Sequence, residues 1–210
     1  MDGTLLDTEG PAKSAFAIAI DEVGFAFNPA LYDSCVGTTF VETQAILRKA
    51  YGEALDTLAL EQAWSAHFSA ARESAPISVK PGIAELLQRL GELQIAMAVA
   101  TSNQRDVCEA SLTDCGIRQY FTHLVCVGEA RNPKPAPDPY LLAAAKIGQL
   151  PRDCWALEDS DIGTRAAVES GMRTFQIPDA KPPSKSVVAL GHEVLASAGE
   201  LLALLDDRAS

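Results

Sequence analysis

Four short stretches of the sequence carry polar side chains of the kinds that perform chemistry. The chain opens with Asp2-Gly3-Thr4-Leu5 and Asp7, Thr101-Ser102-Asn103 follows an apolar run, Lys134 lies between two prolines, and Glu158-Asp159 ends another apolar run. Carboxylates hold hard cations, while a lysine and a hydroxyl neutralise a phosphate. One carboxylate can attack phosphorus and a second acid can serve the leaving group. Together the four stretches predict phosphoryl transfer.

Each stretch taken alone also has a structural explanation. Asp-Gly is a common turn, and Lys134 is the kind of lysine often found in a solvated loop. Thr101-Ser102-Asn103 is typical of a helix cap, although the same N–H groups suit a phosphate. Glu158-Asp159 would suit the dipole at a helix start. Adjacent carboxylates at the end of a buried strand repel each other, however, and tolerate that position best with a divalent cation between them.

The elements that must position these residues follow two patterns. From Pro11 to about Ala75 the apolar periodicity is helical only. After Gly82, short apolar runs alternate with amphipathic helices, which is typical of a parallel sheet covered on both faces. We therefore predict an α/β protein with a doubly wound parallel sheet and an all-helical insertion, and the chemistry at the carboxyl ends of the strands. The predicted strands are Ile95–Ala100, Leu124–Val127, Trp155–Leu157 and Thr174–Ile177.

Composition limits the partners. The 210 residues include 17 Lys+Arg against 28 Asp+Glu, a net charge of −11, which repels nucleic acid and anionic membranes. No run of about 18 apolar residues occurs, and the five cysteines lack metal-binding spacing, which indicates reduced thiols. We expect a soluble, cytoplasmic protein that acts on a small molecule, as a monomer or small homo-oligomer.

The ordered motifs resemble those of the haloacid dehalogenase superfamily, in the subgroup with a helical cap inserted after the first motif. That family's first motif, an apolar strand followed by Asp-x-Asp-Gly-Thr-Leu-x-Asp, is matched from Met1 to Asp7. Its second motif, a Thr or Ser after a buried strand, is matched at Thr101, and its lysine motif at Lys134. The acidic motif, Glu-Asp-Ser-x-x-Gly, is matched from Glu158 to Gly163. The resemblance covers nearly the whole chain.

The resemblance assigns a role to each matched residue. It implies that Asp2 is the general acid and base, and that Lys134 also restrains the nucleophile. It implies that the catalytic residues are Asp2, Thr101 and Lys134. The implied phosphate-binding residues are Gly3, Thr101, Ser102, Asn103 and Lys134. The implied Mg²⁺ ligands are Asp2, Glu158 and Asp159.

The activity implied by the resemblance is that of a Mg²⁺-dependent phosphatase. It would hydrolyse a small phosphorylated metabolite through an aspartyl-phosphate, since an aspartate at the position of Asp2 goes with phosphate chemistry. The core would comprise residues 1–8 and 78–210, and residues 9–77 would form a cap that closes over the site. A hexose phosphate phosphomutase shares every motif, and a non-catalytic phosphate-binding module is the third interpretation.

One part of the family pattern has no counterpart in this sequence. The nucleophilic aspartate of the first motif belongs immediately before Met1, at the end of an apolar strand that lies in the middle of the family's sheet. We therefore expect that this first central strand is missing and that the natural start lies several codons upstream. The polypeptide of 210 residues is expected to show little or no catalysis.

Overall fold

Among the residues that the structure describes, helices alone build one part of the chain, whereas helices alternate with strands in the rest. The computed structural model describes residues 1–36, 38, 40–74 and 77–209. Thr8–Ile77 forms one unit, called here the helical unit, and Met1–Asp7 together with the chain from Ser78 onwards forms a second, called here the α/β unit. Within the described residues, no helix is long and apolar enough to cross a membrane.

Within its described residues, the helical unit contains four helices, and local side chains cap the starts of the second and the fourth. At the start of the second helix, the Asn28 side chain accepts a hydrogen bond from the Leu31 N–H at 3.2 Å. At the start of the fourth, the Asp56 side chain accepts from the Leu58 and Ala59 N–H groups, both at 3.0 Å. Such caps satisfy N–H groups that have no partner within the helix. The helices are α1 (Glu9–Glu22), α2 (Pro29–Cys35), α3 (Phe40–Tyr51) and α4 (Thr57–Ser74).

Aromatic rings fill the centre of the helical unit. Phe16 on α1 packs edge-on against Trp64 on α4, with ring centroids 5.3 Å apart, and lies 5.1 Å from Tyr32. Leu47 and Leu60 are buried in the same cluster. The Trp64 indole N–H donates to the Ala12 carbonyl at 2.9 Å, so its polar atom is satisfied.

The α/β unit has short parallel strands separated by helices. Its strands are β1 (Ala98–Ala100), β2 (His123–Val125), β3 (Trp155–Glu158), β4 (Arg173–Gln176) and β5 (Glu193–Val194). Its helices are α5 (Ile83–Glu92), α6 (Arg105–Asp114), α7 (Asp138–Lys146), α8 (Asp161–Glu169), α9 (Lys185–Val188) and α10 (Ala198–Ala209). The predicted α/β class with parallel strands is confirmed.

The described strands form two sheets. One has the order β1-β2 and the other β3-β4-β5, with every pair parallel. The predicted run Ile95–Ala100 becomes a strand only from Ala98, where pairing with His123 begins. Three elements were not predicted: α2, α9 and the two-residue β5.

Candidate active site

The carboxyl ends of β1 and β3 lie beside the turn that opens the chain. In that turn, the Leu5 and Leu6 N–H groups donate to the Met1 carbonyl at 2.7 and 3.1 Å. Bridges join Asp2 to Leu6 and Leu6 to Val79, so the turn is fixed to the segment that precedes α5. Asp2 and Gly3 are thereby held next to the loops that follow the strands.

Asp2 contacts the loop that follows β1. Its carboxylate accepts a hydrogen bond from the Asn103 side-chain amide at 2.6 Å. The Asn103 backbone N–H donates to the Thr101 hydroxyl at 3.2 Å, which fixes the shape of this loop. Thr101 is buried, and Ser102 between them is exposed. The structure therefore brings Asp2, Thr101 and Asn103 to one place, with Ser102 on its outer side.

Asp159 contacts the opening turn from the other side. The Thr4 hydroxyl donates to one Asp159 carboxylate oxygen at 2.5 Å. Gly3 has a φ of +67°, and a Cβ at this position would lie 2.4 Å from the other oxygen of Asp159. Only glycine fits both the left-handed backbone and this close approach. Gly3 thus allows the turn to come close to the carboxylate.

Lys134 and Glu158 form a buried ion pair that Tyr140 completes. The Lys134 ammonium lies 2.6 Å from a Glu158 oxygen and donates to the Ala100 carbonyl at 3.1 Å. The Tyr140 hydroxyl donates to the same Glu158 oxygen. The second Glu158 oxygen accepts from the Ser160 hydroxyl at 3.2 Å. Lys134 therefore links the ends of both sheets.

Gly163 makes room for the Glu158 carboxylate. A Cβ at Gly163 would lie 2.1 Å from the Glu158 carboxyl carbon, so a side chain there would displace it. The Ser160 hydroxyl, which caps α8, accepts from the Gly163 N–H at 3.1 Å. This packing explains the spacing of Glu158, Ser160 and Gly163.

The two adjacent carboxylates have opposite electrostatic surroundings. Burial, the largest single influence, raises the pKa of Glu158, but the Lys134 ammonium, the Met1 amino group and the hydrogen bonds from Lys134 and Tyr140 together lower that pKa below its ordinary value. Burial and the neighbouring Glu158 charge raise the pKa of Asp159 to about 6, although the amino group of Met1 opposes the rise. Glu158 is already neutralised by protein groups, whereas Asp159 would gain most from an added positive charge.

Two of the three predicted metal ligands are suited to hold a hard cation such as Mg²⁺. Among the described residues, no three His, Cys, Asp or Glu side chains form a group that could hold a metal. The three predicted metal ligands are not gathered as such because Glu158 directs its oxygens at Lys134, Tyr140 and Ser160. Asp159 and Asp2 remain as oxygen donors on either side of Gly3, and Mg²⁺ is commonly bound by one or two carboxylates.

Sequence reasoning missed several polar residues at this site. Thr4 lies inside the first matched motif and Tyr140 lies six residues after Lys134, yet only the three-dimensional contacts show what their hydroxyls do. Lys80 and Asp179 form an ion pair, and an Asp179 oxygen would lie 3.1 Å from a Cβ at Gly3. Asp179 follows β4, and that position after a predicted strand was the signal that could have found it.

Comparison with known proteins agrees with this geometry. A family model described as haloacid dehalogenase-like hydrolase matches residues 1–177. The chain is 32% identical to the fructose-1-phosphate phosphatase of Escherichia coli, over 84% of this chain and 93% of that protein. It is 25% identical, with a TM-score of 0.80, to a provisionally named β-phosphoglucomutase of Thermotoga maritima, over 99% of this chain and 96% of the other. The structure of CbbY from Rhodobacter sphaeroides in complex with phosphate is 27% identical, with a TM-score of 0.79 and coverage of 96% and 93%.

Proposed function

This chain belongs to the haloacid dehalogenase-like hydrolase family. We propose that it forms most of a Mg²⁺-dependent phosphatase that acts on a small phosphorylated sugar. The observation that carries the proposal is the convergence of three groups at one edge. Asp2 lies against Asn103, Thr4 against Asp159, and Lys134 against both Ala100 and Glu158. The sugar phosphate is suggested by the relative that is named as a fructose-1-phosphate phosphatase.

Phosphate binding is assigned to the groups around the end of β1. Lys134 carries the positive charge, and the hydroxyl of Thr101 and the N–H groups of the loop after it supply neutral donors. Mg²⁺ would be held by Asp159 and Asp2, and when bound it would neutralise charge on the phosphoryl oxygens. Glu158 would act through Lys134, whose position it fixes at 2.6 Å.

The nucleophile is assigned to an aspartate joined directly to Met1. Met1 opens the turn in which the Asp2 carboxylate accepts from the Asn103 amide at 2.6 Å and the Thr4 hydroxyl donates to Asp159 at 2.5 Å. A residue attached to Met1 would therefore stand close to the same site. Met1 would then be the variable residue between two aspartates.

The chemistry follows from these positions. The aspartate oxygen attacks phosphorus, the bond from phosphorus to the sugar oxygen breaks, and Asp2 gives its proton to that oxygen. Asp2, now a carboxylate, takes a proton from water as the water oxygen attacks the phosphoryl group. The bond to the nucleophilic aspartate then breaks, which releases phosphate and restores that carboxylate together with the protonated Asp2. Selection of the sugar is assigned to the helical unit, as a cap.

The test compares three proteins. The first carries an apolar strand and an aspartate before Met1, the second carries the same strand and an asparagine, and the third is the chain of 210 residues. With Mg²⁺ and a panel of sugar phosphates, only the first is expected to release phosphate, at a rate about 10⁶ times that of the second. If the first protein is inert on every substrate, the phosphatase proposal is wrong.

A phosphomutase is the second candidate, because of the likeness to the provisionally named β-phosphoglucomutase. The two activities differ in their products. A mutase would convert one hexose phosphate to its isomer without net release of phosphate, whereas a phosphatase releases phosphate in proportion to the sugar formed. Phosphate binding without either product would favour the non-catalytic module instead.

A further inference from the structure

One carboxylate oxygen beside the opening turn is buried and unpaired. It is the Oδ2 atom of Asp179, the residue that lies three positions after the end of β4. Among the described residues this oxygen has no hydrogen-bond partner. Nearly all buried polar groups in native proteins are paired, and an unpaired one indicates a contact with water, an ion or a ligand. The position of this oxygen therefore needs a reason that the protein's own hydrogen bonds do not supply.

The other oxygen of Asp179 has a partner that fixes the side chain. It forms an ion pair with the Lys80 ammonium, and the Asp179 and Lys80 side chains are only 16% and 18% exposed. The backbone of Lys80 is itself fixed, because its N–H donates to the Leu5 carbonyl at 2.9 Å. The ion pair therefore explains where Oδ1 of Asp179 lies, and it leaves Oδ2 free to contact something else.

The unpaired oxygen lies on the same side of Gly3 as Asp159. A Cβ at Gly3 would lie 2.4 Å from Oδ2 of Asp159 and 3.1 Å from Oδ2 of Asp179. The two oxygens are separated by no more than the sum of these distances, which is within the roughly 4–6 Å over which charges shift one another's ionisation. Pairing of the strands sets this level, since the Ile177 N–H after β4 donates to the Glu158 carbonyl of β3 at 2.7 Å.

The charges of Asp159 and Asp179 favour a cation beside both. Lys80 pairs with Asp179, whereas Asp159 has a donor in Thr4 but no ion-pair partner among the residues that the structure describes. The ammonium of Lys134 is already paired with a different carboxylate, that of Glu158. Like charges this close repel each other, and a divalent cation removes the repulsion.

In the proposed function, Asp159 and Asp2 are the direct ligands, and Mg²⁺ usually keeps several waters beside one or two carboxylates. No three acidic side chains of the described residues gather closely enough to hold one metal, so Asp179 is not a third direct ligand. We propose that Asp179 is a positioning residue of the cation site, with its Oδ2 accepting a hydrogen bond from a water on the Mg²⁺ that Asp159 holds. Lys80 fixes the direction of the carboxylate, and such outer carboxylates orient the groups around a metal. The inference rests on the proposed function, because that function places the cation at Asp159.

The experiment measures cation binding instead of turnover. The full chain is titrated with Mn²⁺, the free ion is quantified by electron paramagnetic resonance, and Mg²⁺ is then added as a competitor. Asp179→Asn keeps the size of the side chain, removes its charge and is expected to weaken binding about 10–100-fold. Asp159→Asn should abolish binding. The matched control is Asp161→Asn, because Asp161 belongs to the same acidic motif but accepts from the Ser184 N–H at 3.2 Å, and its binding should change less than about threefold.

A double variant separates this role from a purely structural one. Asp179→Asn alone leaves the mostly buried Lys80 ammonium without its partner, which destabilises the fold. Lys80→Gln combined with Asp179→Asn replaces the ion pair by two neutral amides that can hydrogen-bond each other, and circular dichroism checks that the variant is folded. Binding of Mn²⁺ should remain about 10–100-fold weaker in this double variant. Lys80→Gln alone keeps the charge of Asp179 and should bind Mn²⁺ at least as tightly as the native sequence.

The outcomes separate this inference from the phosphatase proposal. Native-like binding by the folded double variant, or an equal loss for Asp161→Asn, would overturn the role of Asp179 and leave Asp159 as a ligand. Equal binding by the native sequence and Asp159→Asn would overturn the cation site of the proposed function, and this inference with it. Weak binding by Asp179→Asn and the double variant, with no phosphate release by the protein that carries a strand and an aspartate before Met1, would keep this inference and overturn the phosphatase.

Discussion

The centre of the helical unit is filled, whereas the centre of the α/β unit contains a cavity. Phe16, Tyr32 and Trp64 pack ring against ring in the first. In the second, β1 and β3 face a space of about 590 Å³ and a buried ion pair lies at its edge. The helical unit is therefore closely packed at its centre, whereas the α/β unit is not.

The cavity also has an energetic consequence. Side chains that line a void lack the packing contacts that a filled core provides on every side. The α/β unit should therefore be the less stable of the two.

The largest expected effect compares two buried leucines. Leu60 lies in the filled helical core and Leu87 lines the cavity, with 2% and 3% exposure. Leu60→Ala should lower the free energy of unfolding by about 3–5 kcal/mol, and Leu87→Ala by about 2 kcal/mol, because Leu87 already borders a void. Urea denaturation measures both. Equal losses in the unextended chain would contradict the difference in packing between the two units. A larger Leu87→Ala loss in the protein that carries an apolar strand before Met1 would support it.

The next effect concerns the buried charge of Asp159. A carboxyl whose pKa rises from 3.8 to about 6 on folding favours the folded state below pH 3.8 and loses that contribution as pH rises through 6. Asp159→Asn should thus increase the free energy of unfolding at pH 8 by up to about 3 kcal/mol and change it little at pH 4.

Thermal unfolding at the two pH values, with and without Mg²⁺, measures this effect. Mg²⁺ should stabilise the native sequence at pH 8 and leave Asp159→Asn unaffected. Asp33→Asn in the helical unit, where the carboxylate pairs with Lys13 at the surface, is the matched control and should change little. A gain for Asp159→Asn that is the same at both pH values would contradict the assignment of the raised pKa.

The smallest effect compares two tyrosine hydroxyls. Tyr140 donates to the buried Glu158 carboxylate, whereas Tyr51 in the helical unit donates to the neutral Ala26 carbonyl at 2.8 Å. Tyr140→Phe should destabilise by about 1.5–3 kcal/mol and Tyr51→Phe by about 0.5–1.5 kcal/mol, because a hydrogen bond to a charged group is stronger. Urea denaturation of the two variants measures both losses of unfolding free energy. A smaller loss for Tyr140→Phe would show that Lys134 and Ser160 satisfy Glu158 without Tyr140.

Sequence patterns were sufficient for the α/β class because each element has its own signature. Helical periodicity between Pro11 and Ala75, and short apolar runs after Gly82, both reflect which side chains are buried. Strand ends were less predictable, since β1 starts at Ala98 only because its partner β2 begins at His123. The helix α2 and the two-residue β5 are too short to show a period.

The sequence by itself determined which residues carry charge and hydroxyl groups and where along the chain they follow strands. It thereby pointed to Asp2, Lys134 and Asp159. Only the tertiary structure decided that Glu158 directs its oxygens to Lys134 and Tyr140 while Asp159 accepts from Thr4, and that β1 and β3 line one cavity. Side-chain direction and the pairing of distant strands depend on contacts between residues far apart in the chain, and local patterns do not encode them.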